Sequence, residues 1–343
     1  MKYFFIAMLC AATSISFAQN ELHNIDKTSN LWTSDRPDAH APISVMADHT
    51  HHKGGLMFSY RYMTMDMRQL REGSEDATIA DAHVNYMVAP LDMIMNMHML
   101  GIMYAPSNKM TLMVMTNYLE NDMNLQMRNG NQFSTNTSGF GDVSVNALYS
   151  LFNKNRKAMH AQIGVSIPTG SIENKGVLPM SMNNAVQLPY PMQTGTGSFG
   201  AKIGLTYLGQ CDTFSWGHQL TGLININDND QDYKFGNHYK LNNWFAAKAG
   251  ENLSVSVRLE GVIVDEIDSS SPLLNPMMVT TADTANSGGT FINSGFGLNY
   301  MIKNGLKGLR LATEISMPLY QDLNGIQLKQ NYNITFGLQY AMH

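Results

Sequence analysis

The chain has 343 residues and a formal net charge of −5 at neutral pH; hydrophobic residues make up 44% of it and charged residues only 14%, whereas soluble domains usually carry about 25% charged residues. The mean hydropathy of −0.19 excludes a bundle of membrane-spanning helices, and the sparse, slightly acidic charge argues against a cytosolic enzyme, a nucleic-acid-binding protein and a disordered chain. This composition favours a chain with one apolar face and one uncharged polar face.

Residues 1–18 have the features of a secretory signal peptide. Lys2 precedes the apolar run 3–12, and small residues then lead to a cleavage site after Ala18. We therefore expect a mature chain that is exported to a bacterial envelope. Its single cysteine, Cys211, cannot form an internal disulfide.

Residues 19–54 follow the leader and do not alternate as a strand does. They contain few apolar positions and two prolines, Pro37 and Pro42. The segment is therefore predicted to lie outside the strand-rich part of the chain.

From residue 55 onward, apolar and polar residues alternate with the period of a β-strand. In Leu253–Ile263 every second residue is apolar or glycine, and Leu309–Met317 and Ile326–Tyr340 show the same alternation. Successive side chains of a strand point to opposite faces, so each segment has one apolar and one polar face. About twelve strands (ten to fourteen) are predicted, at 55–66, 95–105, 109–120, 140–152, 157–168, 196–208, 213–226, 238–249, 252–264, 290–303, 308–318 and 326–341, with 78–90 as one more candidate.

Strand length and connection length favour a membrane barrel over a soluble β-sandwich. Soluble strands average about 5–6 residues, whereas these segments have eleven to sixteen. Short connections such as 153–156 alternate with long ones at 121–139, 169–195, 227–237 and 265–289, as the periplasmic turns and outer loops of outer-membrane barrels do. Closure pairs every strand edge, which lipid requires. The predicted fold class is all-β, a transmembrane antiparallel β-barrel.

Four segments resemble a known family: Ala41–His49, Ser59–Met63, Met97–Pro106 and Gly164–Gly170. They are similar to the outer-membrane barrels grouped with meta-pathway phenol degradation, distant relatives of FadL-type channels, and the similarity covers roughly residues 38–343. It implies a barrel that is inserted by the barrel-assembly machinery and passes small, often apolar, molecules. The chain departs from such barrels at its C-terminus, which does not end on an aromatic residue.

The same resemblance implies a role for the N-terminal segment. In FadL-like channels a comparable segment plugs the lumen, and a plug is therefore one interpretation of residues 19–54; a periplasmic tail is the other. The predicted organisation is a signal peptide (1–18), this segment (19–54) and a barrel (55–343).

Charged strand residues are predicted to line the lumen if the apolar faces contact outer-membrane lipid. The candidates are Arg61, Lys202, Lys240, Lys248, Arg258, Glu260, Arg310, Glu314 and Lys329. Their basic excess mildly favours anions or amphipathic acids. Structural ion pairs, Arg258 with Glu260 and Arg310 with Glu314, are an alternative explanation.

Methionine and histidine are concentrated near the start of the barrel. Thioether and imidazole groups suit copper(I) or silver, but methionine is also an adaptable hydrophobe that faces lipid or fills a lumen. The candidate metal ligands are His49, His51, His52, Met63, Met65, Met93, Met95, Met97 and Met99.

Three functions stay open. The favoured one is an outer-membrane channel for passive uptake of small, apolar or aromatic solutes, with no cofactor and no nucleic-acid partner. The others are a Met/His-rich envelope protein that binds copper(I) or silver, and a barrel enzyme that acts on lipid. The chain has no G-x-S-x-G, H-E-x-x-H or P-loop motif, so the enzyme has the least support.

Overall fold

The structure is a computed structural model that describes residues 31–302 and 308–342. The predicted signal peptide (1–18) and the first part of the predicted N-terminal segment (19–30) lie outside the described residues. The described chain is almost entirely β-structure, as the alternation predicts. Its strands are β1 (Leu56–Gly73), β2 (Glu75–Ala77), β3 (Val88–Ser107), β4 (Met110–Met127), β5 (Gln132–Phe140), β6 (Val143–Lys154), β7 (Lys157–Ile167), β8 (Lys175–Val177), β9 (Ala185–Gln187), β10 (Gly200–Gln210), β11 (Phe214–Asn225), β12 (Tyr233–Lys234), β13 (His238–Lys248), β14 (Leu253–Val264), β15 (Asp268–Ser269), β16 (Gly289–Ile302) and β17 (Leu309–Met342).

Helical structure is limited to short pieces. One α-helix, α1 (Ile79–Asn85), and three 3-10 turns, Tyr190–Met192, Thr280–Ala282 and Thr284–Asn286, are present in the described residues. None of the helices described is long and apolar enough to cross a membrane.

Eleven strands close into an antiparallel barrel, which confirms the predicted fold class. Their order is β1–β3–β4–β6–β7–β10–β11–β13–β14–β16–β17, and β17 pairs back to β1. Strands β2 and β5 pair outside this ring, with β1 and β4 respectively.

The last strand, β17, crosses the barrel twice. Its residues 309–323 pair with β16 and its residues 323–342 pair with β1, both in antiparallel register. The chain reverses near Gly325, whose φ of +60° is a left-handed conformation that glycine adopts without strain. Twelve passes therefore close the ring, in agreement with the predicted number of strands.

The apolar rows face outward. On β14, Val255 and Val257 are 44% and 48% exposed, whereas the alternating Ser254 and Ser256 are buried. The second predicted row behaves in the same way in the first half of β17, where Leu311, Ile315 and Met317 are exposed and Arg310, Glu314 and Ser316 are buried. An exposed apolar belt around a closed sheet is the exterior that a lipid bilayer requires.

The two rims differ as predicted, with two corrections. Short turns join β3 to β4, β6 to β7, β10 to β11 and β13 to β14, so this is the periplasmic rim. The predicted long loop at 121–139 is wrong, because β4 continues to Met127 and β5 pairs with it.

The candidate strand at 78–90 is also wrong over its first half, which forms α1. Thr78 and Asp81 cap that helix reciprocally, a local signal that favours a helix start.

Candidate functional site in the barrel lumen

Residues 31–55, here called the lumen segment, enter the barrel through the periplasmic rim. The Trp32 amide donates to Asn153 Oδ1 at 2.9 Å, and Ser254 Oγ donates to the Pro37 carbonyl at 2.7 Å. The segment returns to the same rim, where the Gly54 amide donates to the Ala105 carbonyl at 2.8 Å. Residues 31–55 thus form a loop inside the barrel before β1 begins.

The apex of this loop, residues 43–47, is held by the inner wall through its backbone. Four wall side chains from four different strands make these contacts, and each uses a polar group that faces the lumen. They are Glu314, which accepts from the Ser44 amide at 2.9 Å, Arg61, which donates to the Ile43 carbonyl at 3.0 Å, His160, which donates to the Ala47 carbonyl at 2.9 Å, and Gln219, which donates to the Met46 carbonyl at 2.8 Å.

The predicted lumen charges form a buried network around this apex. Arg258 Nε donates to Glu314 Oε1 at 2.6 Å, and Arg258 Nη1 lies 2.8 Å from Glu260 Oε1. Arg310 does not pair with Glu314 as the sequence suggested. Its Nη2 donates instead to the Ala41 carbonyl at 2.8 Å. Gly295 on β16, between β14 and β17, makes room for the Arg258–Glu314 ion pair, because a Cβ at this position would clash with Glu314 Oε1.

Two predicted lysines face an open cavity above the apex. Lys202 and Lys240 line a space of about 250 Å³ together with Gln219, Asn242 and Glu260. Among the described residues neither lysine has a salt-bridge partner. This part of the lumen therefore presents cationic and amide groups to a solute, together with the Glu260 carboxylate that pairs with Arg258.

The other two predicted lysines lie at the ends of the barrel. Lys248 is exposed at the periplasmic rim, where its Nζ donates to the Asp212 carbonyl at 2.7 Å. Lys329 lies 3.0 Å from Asp76 on β2, outside the ring.

Methionines from three neighbouring strands form one inner surface, here called the methionine wall. The register places Met63 opposite Met97, Met65 opposite Met95, and Met67 opposite Met93 across β1 and β3. Their positions alternate with outward-facing residues such as Leu100 and Ile102, so the thioethers point into the lumen. The wall comprises Met57, Met63, Met65 and Met67 of β1, Met93, Met95, Met97, Met99 and Met103 of β3, and Met113, Met115 and Met123 of β4.

The outer end of the methionine wall is covered by the long loops. Met93 and Met123 belong to a buried apolar cluster with Leu188, Met192 and Val279, which come from the loops 168–199 and 265–288. Thr137 Oγ1 on β5 also donates to the Met192 carbonyl at 2.8 Å. The lumen is thus a compartment between the lumen segment and the outer loops.

A histidine cluster lies within the lumen segment. The His49 ring centroid is 4.5 Å from that of His40 and 4.8 Å from that of His51, and His49 Nδ1 donates to Asp48 Oδ1 at 2.8 Å. Burial, with a contribution from the charge of Arg310, lowers the pKa of His40 to about 3. At neutral pH the His40 imidazole is therefore unprotonated.

The predicted metal ligands do not all meet at this cluster. His49 and His51 belong to it, but His52 is exposed, and the six predicted methionines lie on the methionine wall. Met57, which was not predicted, lines the adjoining cavity instead. His40 was also missed, because it precedes His49 by nine residues and only the fold of the segment brings the two together.

Comparison with known proteins agrees with the barrel. An outer membrane channel from Pseudomonas putida F1 is 12% identical, with a TM-score of 0.59 over 87% of this chain and 99% of that one. A FadL homologue from Pseudomonas aeruginosa is 9% identical, with a TM-score of 0.43 over 84% of this chain and 91% of its own. Only the first similarity is close enough to support the fold. No curated protein sequence matches the chain.

The family profile described as MetA-pathway of phenol degradation matches residues 102–329, about two thirds of the chain. This match confirms the resemblance that the sequence motifs indicated. The exposed apolar belt and the closed antiparallel sheet place the protein in the bacterial outer membrane. The chain belongs to the MetA-pathway phenol-degradation family of outer-membrane β-barrels.

Proposed function

We propose that the protein is a passive outer-membrane channel for small aromatic solutes and that the lumen segment closes it. The methionine wall is the observation that carries this proposal. A polar pore has no use for an inner surface so rich in thioether groups, whereas an aromatic solute gains from leaving water along it. The family is named for phenol degradation, and the Pseudomonas putida protein of similar fold is itself described as a channel.

Methionine suits a pathway for aromatic rings of different shapes. Its unbranched side chain adapts to irregular surfaces, and its sulfur makes favourable contacts with aromatic rings. A wall of such side chains binds rings loosely and without fixed geometry, which allows a solute to enter and also to leave.

The opposite side of the lumen favours a polar or anionic group on the same solute. β13, which carries Lys240, stands six passes from β3 in a ring of twelve and therefore faces it. Lys202 lies two strands away on β10, and both lysines line the open cavity. A phenol or aromatic carboxylate would contact the methionine wall with its ring and the lysines with its oxygen at different points of its passage through the lumen.

No covalent chemistry belongs to this proposal. His160 donates to a backbone carbonyl and His218 contacts an asparagine amide oxygen, so neither activates a nucleophile in the described structure. The comparisons do not favour copper or silver handling as the main function.

Flux into proteoliposomes tests the channel. Benzoate and gluconate carry the same charge, but only benzoate has an aromatic ring. The flux of each anion is measured as the membrane potential that it generates, because neutral benzoic acid crosses lipid without carrying charge. We expect purified protein to admit benzoate faster than gluconate, and both to enter protein-free liposomes slowly. Equal rates for the two anions, or benzoate entry no faster than in protein-free liposomes, would overturn the proposal.

A further inference from the structure

The histidine cluster of the lumen segment has no part in the channel proposed above. His40, Asp48 and His49 each offer one metal-ligand atom, and these atoms all lie within 4.8 Å of one another. All three side chains are buried. Ligand atoms about 2.0–2.1 Å from a tetrahedral metal ion lie roughly 3.4 Å apart, so modest rotations of the imidazoles beside Asp48 would bring their nitrogens onto one ion.

Two of the imidazole nitrogens in this cluster are buried without a hydrogen-bond partner. They are His49 Nε2 and His40 Nδ1, and the latter lies 3.6 Å from Asp48 Oδ2, beyond hydrogen-bond distance. Buried polar atoms almost always find a partner, and the exceptions call for a physical explanation. Asp48 Oδ1 accepts from His49 Nδ1 at 2.8 Å, which leaves the lone pair of the opposite nitrogen available. A carboxylate that orients a histidine in this way is the usual outer support of a metal-bound imidazole.

The cluster also borders a cavity with a route to solvent. A space of about 230 Å³ is lined by His40, His49, His51 and Met57, and by Asp35. Asp35 is exposed at the periplasmic rim. An ion therefore has both room beside the ligands and a path to them, with a carboxylate at its mouth.

We propose that the imidazoles of His40, His49 and His51 bind one late first-row transition-metal ion, Cu²⁺ or Zn²⁺, and that Asp48 orients His49 from the opposite side of its ring. Imidazole is a preferred ligand of both ions, and Cu²⁺ has the higher affinity in the ordinary series of divalent metals. This site differs from the one expected from the sequence, which combined histidines with the methionines of the wall and favoured copper(I).

The surrounding charges select against ions that prefer oxygen ligands. Arg61 and Arg310 both lie close enough to Asp48 to interact with its charge, so one carboxylate is shared by two guanidinium groups. Ca²⁺ and Mg²⁺ depend on several carboxylate or carbonyl oxygens and cannot offset this positive charge. An ion bound mainly through imidazole nitrogen depends less on carboxylate charge.

Metal binding would connect the two arms of the lumen segment. His40 lies on the arm that runs inward, and His49 and His51 lie on the arm that returns to β1. An ion held by both arms stabilises the folded loop inside the barrel. The binding itself does not depend on which solute the barrel passes.

Metal titration of the tag-free, folded protein in detergent tests the site. A chelator first removes any bound metal, and Cu²⁺ is then added. We expect the protein to retain one Cu²⁺ per chain through desalting, with an electron paramagnetic resonance spectrum that shows nitrogen coordination. Zn²⁺ in large molar excess should displace it in part, whereas Ca²⁺ and Mg²⁺ at the same concentration should not. Displacement by Ca²⁺, or a spectrum without nitrogen coupling, would overturn the proposal.

Matched histidine variants separate the site from chance surface binding. His49→Gln should weaken Cu²⁺ binding at least tenfold, and His52→Gln, an exposed neighbour, should leave it unchanged. Heat-modified migration in gels reports whether each barrel is folded, and His40→Gln replaces His49→Gln if the latter does not fold. Equal affinity in the His49 or His40 variant and the parent, or a loss of binding in the His52 variant, would show that the cluster is not the site.

Discussion

A single carboxylate, Glu314, joins the lumen segment to the barrel wall. One oxygen accepts from the Ser44 amide and the other from Arg258 Nε, and the side chain is fully buried. The residue therefore supports both the wall, through the ion pair, and the apex of the segment, through the backbone.

Replacing this carboxylate by an amide separates the two roles. Glu314→Gln should cost about 3 kcal/mol, the lower end of the range for breaking a buried pair, because Glu260 still faces Arg258. Benzoate flux should rise several-fold, since the apex loses an ionic acceptor. Glu260→Gln is the control, because its carboxylate contacts Arg258 and Asn293 rather than the segment. An equal rise in flux in both variants would argue against the role of the Ser44 contact.

The inward direction of Arg258 and Glu314 could be predicted from the alternation, but their pairing could not. Arg310 and Glu314 share one face of one strand, and the sequence therefore suggested that they pair. The observed bridge instead passes over Gly295, whose missing side chain makes the room. Such a contact depends on the register of three strands, and no local pattern in one strand encodes it.

The methionine wall makes a second prediction at the level of one residue. Met97 faces the lumen opposite Met63, and Met97→Gln keeps the side-chain length but replaces the thioether by an amide. A sulfur–aromatic contact is worth about 0.3–1.5 kcal/mol, so benzoate flux at low concentration should fall roughly two- to tenfold, with gluconate flux unchanged. Met182→Gln, in an outer loop and 90% exposed, should change neither rate. A fall in both fluxes in the Met97 variant would indicate a damaged barrel rather than a lost aromatic surface.

Among the elements, the lumen segment is the one that must move if a solute is to cross. Its apex is fixed by hydrogen bonds to four strands, and it occupies the periplasmic part of the lumen. Ser44 Oγ and Thr335 Oγ1 lie 3.1 Å apart, which brings the two side chains near the separation that a disulfide bridges.

A disulfide between Ser44→Cys and Thr335→Cys, in a Cys211→Ser background, tests this motion. In the oxidised state the apex cannot leave the wall, so benzoate flux should fall to the rate of protein-free liposomes. Reduction should restore it, and each single cysteine variant should respond to neither treatment. Unchanged flux after complete oxidation would show that the solute passes beside a stationary segment.

Alternation predicted the elements that cross lipid better than those beyond it. In the outer part of β4 the pattern inverts: Met123 and Leu125 point inward to the loop cluster, while Asp122 and Asn124 face water. Because its outward residues are polar here, the sequence predicted a loop instead of a strand. The conformation of the lumen segment could not be predicted from the sequence, because its backbone is held by wall side chains from distant parts of the chain rather than by regular secondary structure.

At the scale of the whole molecule, closure determines which side of the sheet contacts lipid. Every strand in the ring has two paired neighbours, so no edge is left in the bilayer. The polar faces can then turn inward only because the lumen segment and water satisfy them. The exposed apolar belt is therefore not a surface defect but the interface with outer-membrane lipid.

A charge placed in the apolar belt tests this orientation directly. Val257 lies near the middle of β14 and is 48% exposed, so Val257→Arg would put a guanidinium into the centre of the bilayer. Such a substitution costs about 2–4 kcal/mol in membrane barrels, and we expect a lower yield of heat-modifiable, folded protein in lipid vesicles. Leu273→Arg is the control, because Leu273 is 60% exposed in the loop 265–288, where water solvates the charge. If both variants fold equally well in lipid, the exposed rows do not face the membrane, and the inward direction of the methionine wall loses its physical basis.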